Sequence, residues 1–396
     1  MKIITRTVWI LSLVSLFTDT ASEMLYPVMP VYLKEIGFSI LLIGILEGVA
    51  EATAGLSKSY FGKLSDVSGK RLPFVRLGYL LSAISKPMMA VFIYPLWIFF
   101  ARTTDRLGKG IRTGARDALL SDEATPETKG RVFGLHRAMD TLGAVIGPAS
   151  ALLFLYYYPH HYKTLFFIAF IPGVVAISFT YLIKDHKASH GGVNLKSASI
   201  FSFVHYWKES PGPYKRLVVG LLAFTLINSS DVFLLLKVKE AGLDDTSVIG
   251  VYIFYNFIYA LSSYPLGRLS DRIGFKKTIL IGLGLFAVVY SGMALSNHLH
   301  QFFVLFFLYG VYAAAAESIA KAWISNITDK KDTATAIGTY TGFQSICTMV
   351  ASTLAGWIWL RFGAPATFLF SSGVTLLVMA YILVVVPTVV TPAKTE

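Results

Sequence analysis

Six charged side chains recur at helical spacing between residues 102 and 116: Arg102, Asp105, Arg106, Lys109, Arg112 and Arg116. At about 100° per residue they fall within about a third of a helix circumference, so a helix here carries one polar stripe. Guanidinium and ammonium groups in such a row can bind a carboxylate or phosphate through charge-assisted hydrogen bonds. They can equally pair with acids of neighbouring helices. Acids are close at hand in the sequence, with Asp19 and Glu23, Glu47 and Glu51, and His136 and Asp140 each sharing a face at i,i+4. A carboxylate beside a guanidinium is held ionised, and accepts a proton when that partner is withdrawn. Arg102, Arg106 and Lys109 are therefore candidate substrate ligands, and Asp19, Glu23, Glu51, Asp105 and Asp140 candidate proton carriers. Structural pairing of the stripe stays open beside those roles.

The surroundings decide where such a stripe can live. The chain is 55% hydrophobic and 15% charged over 396 residues, with a mean hydropathy of +0.61. Apolar stretches of about 20 residues, the length that spans a bilayer, occur near 8–33, 40–60, 74–94, 96–116, 132–157, 165–183, 217–236, 247–265, 278–296, 301–320, 335–359 and 366–386. Twelve membrane helices are expected. The first is read as an uncleaved helix, since Asp19 interrupts it and no A-x-A-like site follows. At roughly 2.5–3.5 kcal/mol per central charge, the deeper four charges of the fourth stretch would oppose insertion by about 10 kcal/mol if they faced lipid. They must face protein or water.

The net charge of +12 follows from topology. With both termini in the cytoplasm, about 26 of the 35 Lys and Arg lie on that side, as the positive-inside rule requires. Nucleic acid is therefore not an expected partner. Cys347 is the only cysteine, so no intrachain disulfide can form.

Residues 184–216 form the longest polar break, punctuated by Gly191-Gly192 and Pro211-Gly212-Pro213. They are expected to tether an N-terminal six-helix bundle, 1–183, to a C-terminal one, 217–396. The segment FGKLSDVSGKRL (61–72) recurs as LGRLSDRIGFKK (266–277), an offset of 205 residues, and Lys34-Glu35-x-Gly37 recurs as Lys239-Glu240-x-Gly242 at the same offset. Gly62 and Gly69 permit a tight turn and close helix approach. Asp66 can accept from helix N-terminal amides or an Arg, while Lys70 and Arg71 meet an anionic membrane surface.

This repeated G-x-L-S-D-x-x-G segment resembles the signature loop of the major facilitator superfamily. Arg106-x-x-x-Gly110 and Gly143-x-x-x-Gly147-Pro148 are similar to that family's fourth-helix element and to the fifth-helix motif of its proton antiporters. The first loop departs from the pattern, with Val67 and Ser68 where a basic residue is usual; the second, with Asp271-Arg272, is fuller. The resemblance implies an all-α membrane protein of twelve transmembrane helices in two pseudo-symmetric six-helix bundles. Helices 1, 4, 7 and 10 would line a central cavity, adding Asn228, Asp231 and Glu317 to the substrate ligands. The loops would act as gates through Gly62, Asp66, Gly69, Lys70, Arg71, Gly267, Asp271 and Arg272. Gly147 and Pro148 join them, as do Arg112 and Arg116 near the cytoplasmic edge.

The expected function is secondary transport of a small organic solute by proton-coupled alternating access, by a monomer in the cytoplasmic membrane that needs no cofactor. No P-loop, Rossmann fingerprint or H-E-x-x-H occurs, and the S-x-x-K match at Ser318–Lys321 lacks its companion elements. The basic stripe favours an anion, such as a carboxylate metabolite or a carboxylate siderophore. The carboxylates of the first two helices would suit an amphipathic cation and multidrug efflux. A metal-ion carrier resembling ferroportin would use Asp19, His136 and Asp140, and a non-transporting receptor or scaffold is a further alternative.

Overall fold

The computed structural model describes residues 4–26, 28–38, 40–184, 202–242 and 245–387. The helices are α1 (Arg6–Leu25), α2 (Met29–Glu35), α3 (Ile40–Ser68), α4 (Leu72–Val91), α5 (Pro95–Asp122), α6 (Lys129–Tyr157), α7 (Tyr162–Thr180), α8 (Ser202–Glu209), α9 (Gly212–Thr225), α10 (Val232–Glu240), α11 (Asp245–Ile273), α12 (Phe275–Leu295), α13 (Leu299–Ile327) and α14 (Thr333–Val385). No strand occurs among the described residues.

Three boundaries differ from the expected spans. The stretch 8–33 is split into α1 and α2 around 26–28, where the sequence places Pro27. The stretch 217–236 is split into α9 and α10 by Asn228-Ser229-Ser230-Asp231, whose short polar side chains compete with helical hydrogen bonding. The last two spans run together in α14, divided only by Gly363 at φ 82°. Residues 185–201 of the expected tether lie outside the described residues, and 202–209 of it form α8.

By length and composition alone, six helical runs among the described residues could cross a membrane: α1, α6, α7, α12, α13 and the run Lys330–Val385 that holds α14. The charged stripe keeps α5 out of that set.

The repeat is visible in the backbone. Gly37 and Gly242 have φ of 93° and 84°, and Gly69 and Gly274 have φ of 63° and 92°. Each pair is 205 residues apart, at a turn where only glycine adopts the left-handed region freely. Helix ends follow the same plan. Arg76 Nη2 donates to Thr180 O and Ile183 O at 3.4 Å at the end of α7, and Lys276 Nζ donates to Leu383 O at 2.9 Å and Val386 O at 2.6 Å at the end of α14. A cation on the last carbonyls opposes the negative end of the helix dipole.

The chain forms two compact units. The first comprises Met1–Ala124, Met139–Lys208 and Lys330–Gly342, and the second Thr125–Ala138, Glu209–Asp329 and Phe343–Glu396. In the first, α4 packs on α5 and α7, α3 on α5, and α1 on α7. Tyr32 meets Phe166 edge-on at 5.0 Å within its apolar core. In the second, α13 packs on α11 and α12, with Phe286, Phe302 and Phe306 fully buried. Lipid tails are as apolar as these side chains, so close packing rather than escape from water holds the helices together.

Backbones approach closely where Gly143 and Gly147 of α6 meet α1. A Cβ on either would lie 2.6 Å from a backbone oxygen, of Leu16 and Thr20 respectively. Gly147→Leu is therefore expected to force α1 and α6 apart and to destabilise the protein by roughly 1–3 kcal/mol, the usual penalty for overpacking. A lower melting temperature of the purified variant would show it, and an unchanged one would contradict this packing.

Candidate functional site

The stripe of α5 lines a cavity in the first unit, together with α1 and α4. Arg102, Arg106, Lys109 and Arg112 enter it from α5, opposite Asp19 and Glu23 of α1, with Asp105 among them. Four basic side chains thus face three acids. One of those acids is already matched from behind. Lys86 of α4, 1% exposed, donates from Nζ to Asp105 Oδ1 at 2.6 Å and to Ser22 Oγ at 3.1 Å. Ser85 Oγ donates to the same Asp105 oxygen at 3.3 Å, and Arg102 Nη1 lies 3.7 Å from Asp105 Oδ2. Arg112 Nη1 donates to Ser82 Oγ at 2.6 Å. On the α6 side, Ser15 Oγ donates to Asp140 Oδ1 at 2.5 Å.

The second unit holds a different chemistry. Asp231, at the start of α10, accepts from Tyr255 Oη at 2.8 Å and Tyr309 Oη at 2.7 Å. Glu317 accepts from Tyr259 Oη at 2.9 Å and pairs with Arg137, whose guanidinium also lies over the Tyr259 ring. Asn228 Nδ2 donates to Tyr312 Oη at 3.1 Å. Two carboxylates are thus set in a wall of tyrosines.

Two further contacts lie beyond the apolar spans and match each other through the repeat. Asp66 Oδ2 accepts from Thr335 N and Thr335 Oγ1, both at 2.7 Å, at the N-terminus of α14. Asp271 accepts from Gly130 N at 2.8 Å and Arg131 N at 3.0 Å, at the N-terminus of α6. Asp66 and Asp271 are 205 residues apart, as are Gly130 and Thr335. Each carboxylate supplies the negative charge that a helix N-terminus favours. Arg71 Nη2 lies 3.5 Å from Asp66 Oδ1 and donates to Lys330 O at 3.1 Å, while Arg131 Nε lies 3.2 Å from Asp271 Oδ2. Gly62 and Gly267 leave room for the approach, against the backbone of Ala334 and Gly130. Burial outweighs these partners, and raises Asp66 from 3.8 to about 7 and Asp271 to about 6.

The structure therefore brings Arg102, Arg106, Lys109, Asp19, Glu23 and Asp105 together, with Arg112 in the same cavity. Arg116 lies one turn on and binds Asp117 at 2.8 Å. Asp231, Glu317 and Asn228 belong to the tyrosine cluster of the second unit. Lys70 and Arg272 are exposed, and Pro148 sits inside α6. Glu51 is on α3, its side chain outside the described residues. Among the described residues, Asp19, His136 and Asp140 do not form a metal-holding group. Sequence reasoning missed Lys86 and the tyrosines. A lone lysine inside the apolar stretch 74–94 was the signal for the first. Tyr255 and Tyr259 at i,i+4, with Tyr309 and Tyr312 at i,i+3, were the signal for the second.

The family profile described as Major Facilitator Superfamily matches residues 11–258 and 232–396. The chain belongs to the major facilitator superfamily. As a member of that superfamily it is an integral membrane transporter and not an enzyme, with the superfamily's twelve helices in two six-helix bundles. It is 32% identical over 375 residues to an uncharacterised MFS-type transporter of Methanocaldococcus jannaschii, covering 93% of this chain and 92% of that one. It is 23% identical to a multi-drug resistance efflux pump PmrA homolog of Lactococcus lactis, over 89% of each chain. The crystal structure of the human organic anion transporter MFSD10 (TETRAN) superposes with a TM-score of 0.81 at 15% identity, covering 95% of this chain and 99% of that one.

Two outcomes follow from this geometry. Asp105→Asn leaves Lys86 buried without its counter-charge and is expected to cost about 3–5 kcal/mol. Adding Lys86→Met should recover part of the loss in thermal melts, and no recovery would mean that the pair is not the source. For Asp66 the sign is set by a value near 7 in the engaged contact against 3.8 ordinarily. Engagement is favoured by the proton, is fully present below the ordinary value, and is lost as pH rises through about 7. In a Cys347→Ala background, a cysteine at the fully buried Ser65 should therefore label faster as pH rises, beyond the intrinsic change in thiol reactivity. Asp66→Asn should remove that extra dependence; an identical pH profile in both chains would exclude Asp66 as its source.

Proposed function

We propose that this protein moves a small organic anion across the cytoplasmic membrane by proton-coupled alternating access, as a monomer with both termini in the cytoplasm. The observation that carries the reading is the excess of basic over acidic side chains in the first-unit cavity, where Lys86 already offsets Asp105. An anionic substrate supplies the missing negative charge, and a carboxylate suits the paired donors of Arg102 and Arg106. Carboxylate metabolites are the favoured class, with a carboxylate siderophore the larger variant. Likeness of fold to an organic anion transporter is in keeping with this, although the fold alone is shared.

In this reading Arg102, Arg106 and Lys109 hold the substrate, and Asn228, Asp231 and Glu317 contribute from the second half. The Asp66 and Asp271 contacts act as latches, assisted by Lys70, Arg71 and Arg272 at the lipid headgroups. Residues 184–216 tether 1–183 to 217–396.

A second reading has its own observation. Asp231 and Glu317 among Tyr255, Tyr259, Tyr309 and Tyr312 would suit an amphipathic organic cation through ring faces and carboxylates. Similarity to a multi-drug efflux pump accords with it. One variant separates the two. Arg106→Gln is expected to weaken binding of an organic acid by about 1.5–3 kcal/mol, roughly ten- to 150-fold, with an unchanged melting temperature. Lost stability with unchanged affinity would place Arg106 in the scaffold, and tighter binding of cations would favour the efflux reading.

A further inference from the structure

The candidate carboxylates are not equivalent in their surroundings. Asp105 has one oxygen on Lys86 at 2.6 Å and the other facing Arg102, and is 6% exposed in the α4/α5 contact. A carboxylate clamped between two cations is a fixed anion. Glu23 faces Lys109, Arg106 and Arg102 in the cavity.

Asp19 differs because another acid faces it from α6. The approach of α6 at Gly143 is close enough that a Cβ there would lie 3.0 Å from Asp19 Cβ. One turn earlier on α6, Asp140 Oδ1 accepts from Ser15 Oγ–H at 2.5 Å, and Ser15 stands one turn before Asp19 on α1, so the two carboxyl groups face each other across the α1/α6 contact. A carboxylate has no donor of its own, so a hydrogen bond between two carboxyl groups contains a proton. Two acids that face each other away from water do not both ionise readily.

We propose that Asp19 and Asp140 hold one shared proton, and that this pair is the proton carrier of the transport cycle, with Asp105 a fixed counter-ion. The proposal rests on the proton-coupled reading above. Loading adds one proton to the dianionic pair from one compartment and leaves a single negative charge; unloading returns the proton to the other compartment. The charged groups facing the pair are Lys109, Arg112 and Arg116 of α5, with Glu23 on α1 itself. Lys86 of α4 reaches α1 through Ser22. His136 and Arg137 precede Asp140 on α6, and α7 carries only Lys163. An anion bound to Lys109 or Arg112 draws these cations from the pair and favours the loaded form, which links substrate to proton without direct contact.

Infrared difference spectroscopy of the purified full-length protein during pH steps reads the proton directly. The parent chain should show one carboxyl band whose loss releases one proton, and both Asp19→Asn and Asp140→Asn should abolish it. Survival of the band in either variant overturns the shared proton. Should Asp140→Asn fail to fold, Ser15→Ala removes a donor to the ionised form and should shift the midpoint to higher pH; no shift counts against the pair. Coupling is measured separately in proteoliposomes, as citrate or benzoate flux under an imposed pH gradient. A shared proton without gradient-dependent flux in the parent refutes proton coupling and with it the carrier role. Coupled flux that persists in both Asn variants refutes the pair as carrier and leaves the coupled reading standing.

Discussion

A charge in hydrocarbon must find an opposite charge, a hydrogen-bond partner or water, and the first unit is arranged around that demand. The stripe of α5 could not enter a bilayer facing lipid at roughly 2.5–3.5 kcal/mol per central charge. Lys86 answers it from α4, Asp19 and Glu23 answer it from α1, and the remaining face opens on a cavity. The close contact of α1 with α6 at Gly143 and Gly147 belongs to the same solution, because it carries Asp140 against α1.

The sequence displayed the parts whose physics is periodic. Residues 102–116 announced a polar stripe by spacing alone, and its turning away from lipid followed from cost. The 205-residue offset was equally plain, and it returns as matched glycines with positive φ and as matched carboxylates on helix N-termini. Partners across helices were not legible in this way. Nothing in the spacing of Lys86 says that it meets Asp105, because the meeting depends on how α4 turns against α5. The tyrosines around Asp231 were hidden for another reason. In a membrane span an aromatic side chain reads as apolar bulk, and its hydroxyl matters only once a carboxylate lies within reach.

Arg112 shows what a wheel leaves out. Its angle groups it with Arg106, and the two line the same cavity, but its bond to Ser82 depends on α4, which a single helix does not reveal. Asp105 makes the complementary point, since its oxygens are already engaged by partners that a list of acids cannot show.

Duplication has preserved the geometry of the two loop contacts and, with it, their chemistry. Asp66 and Asp271 accept from equivalent amides, and burial raises both carboxyls above the ordinary range. A change of acidity near neutrality therefore reaches both contacts. Copies that match in shape share a response, and a scaffold with twofold ancestry senses its surroundings twice.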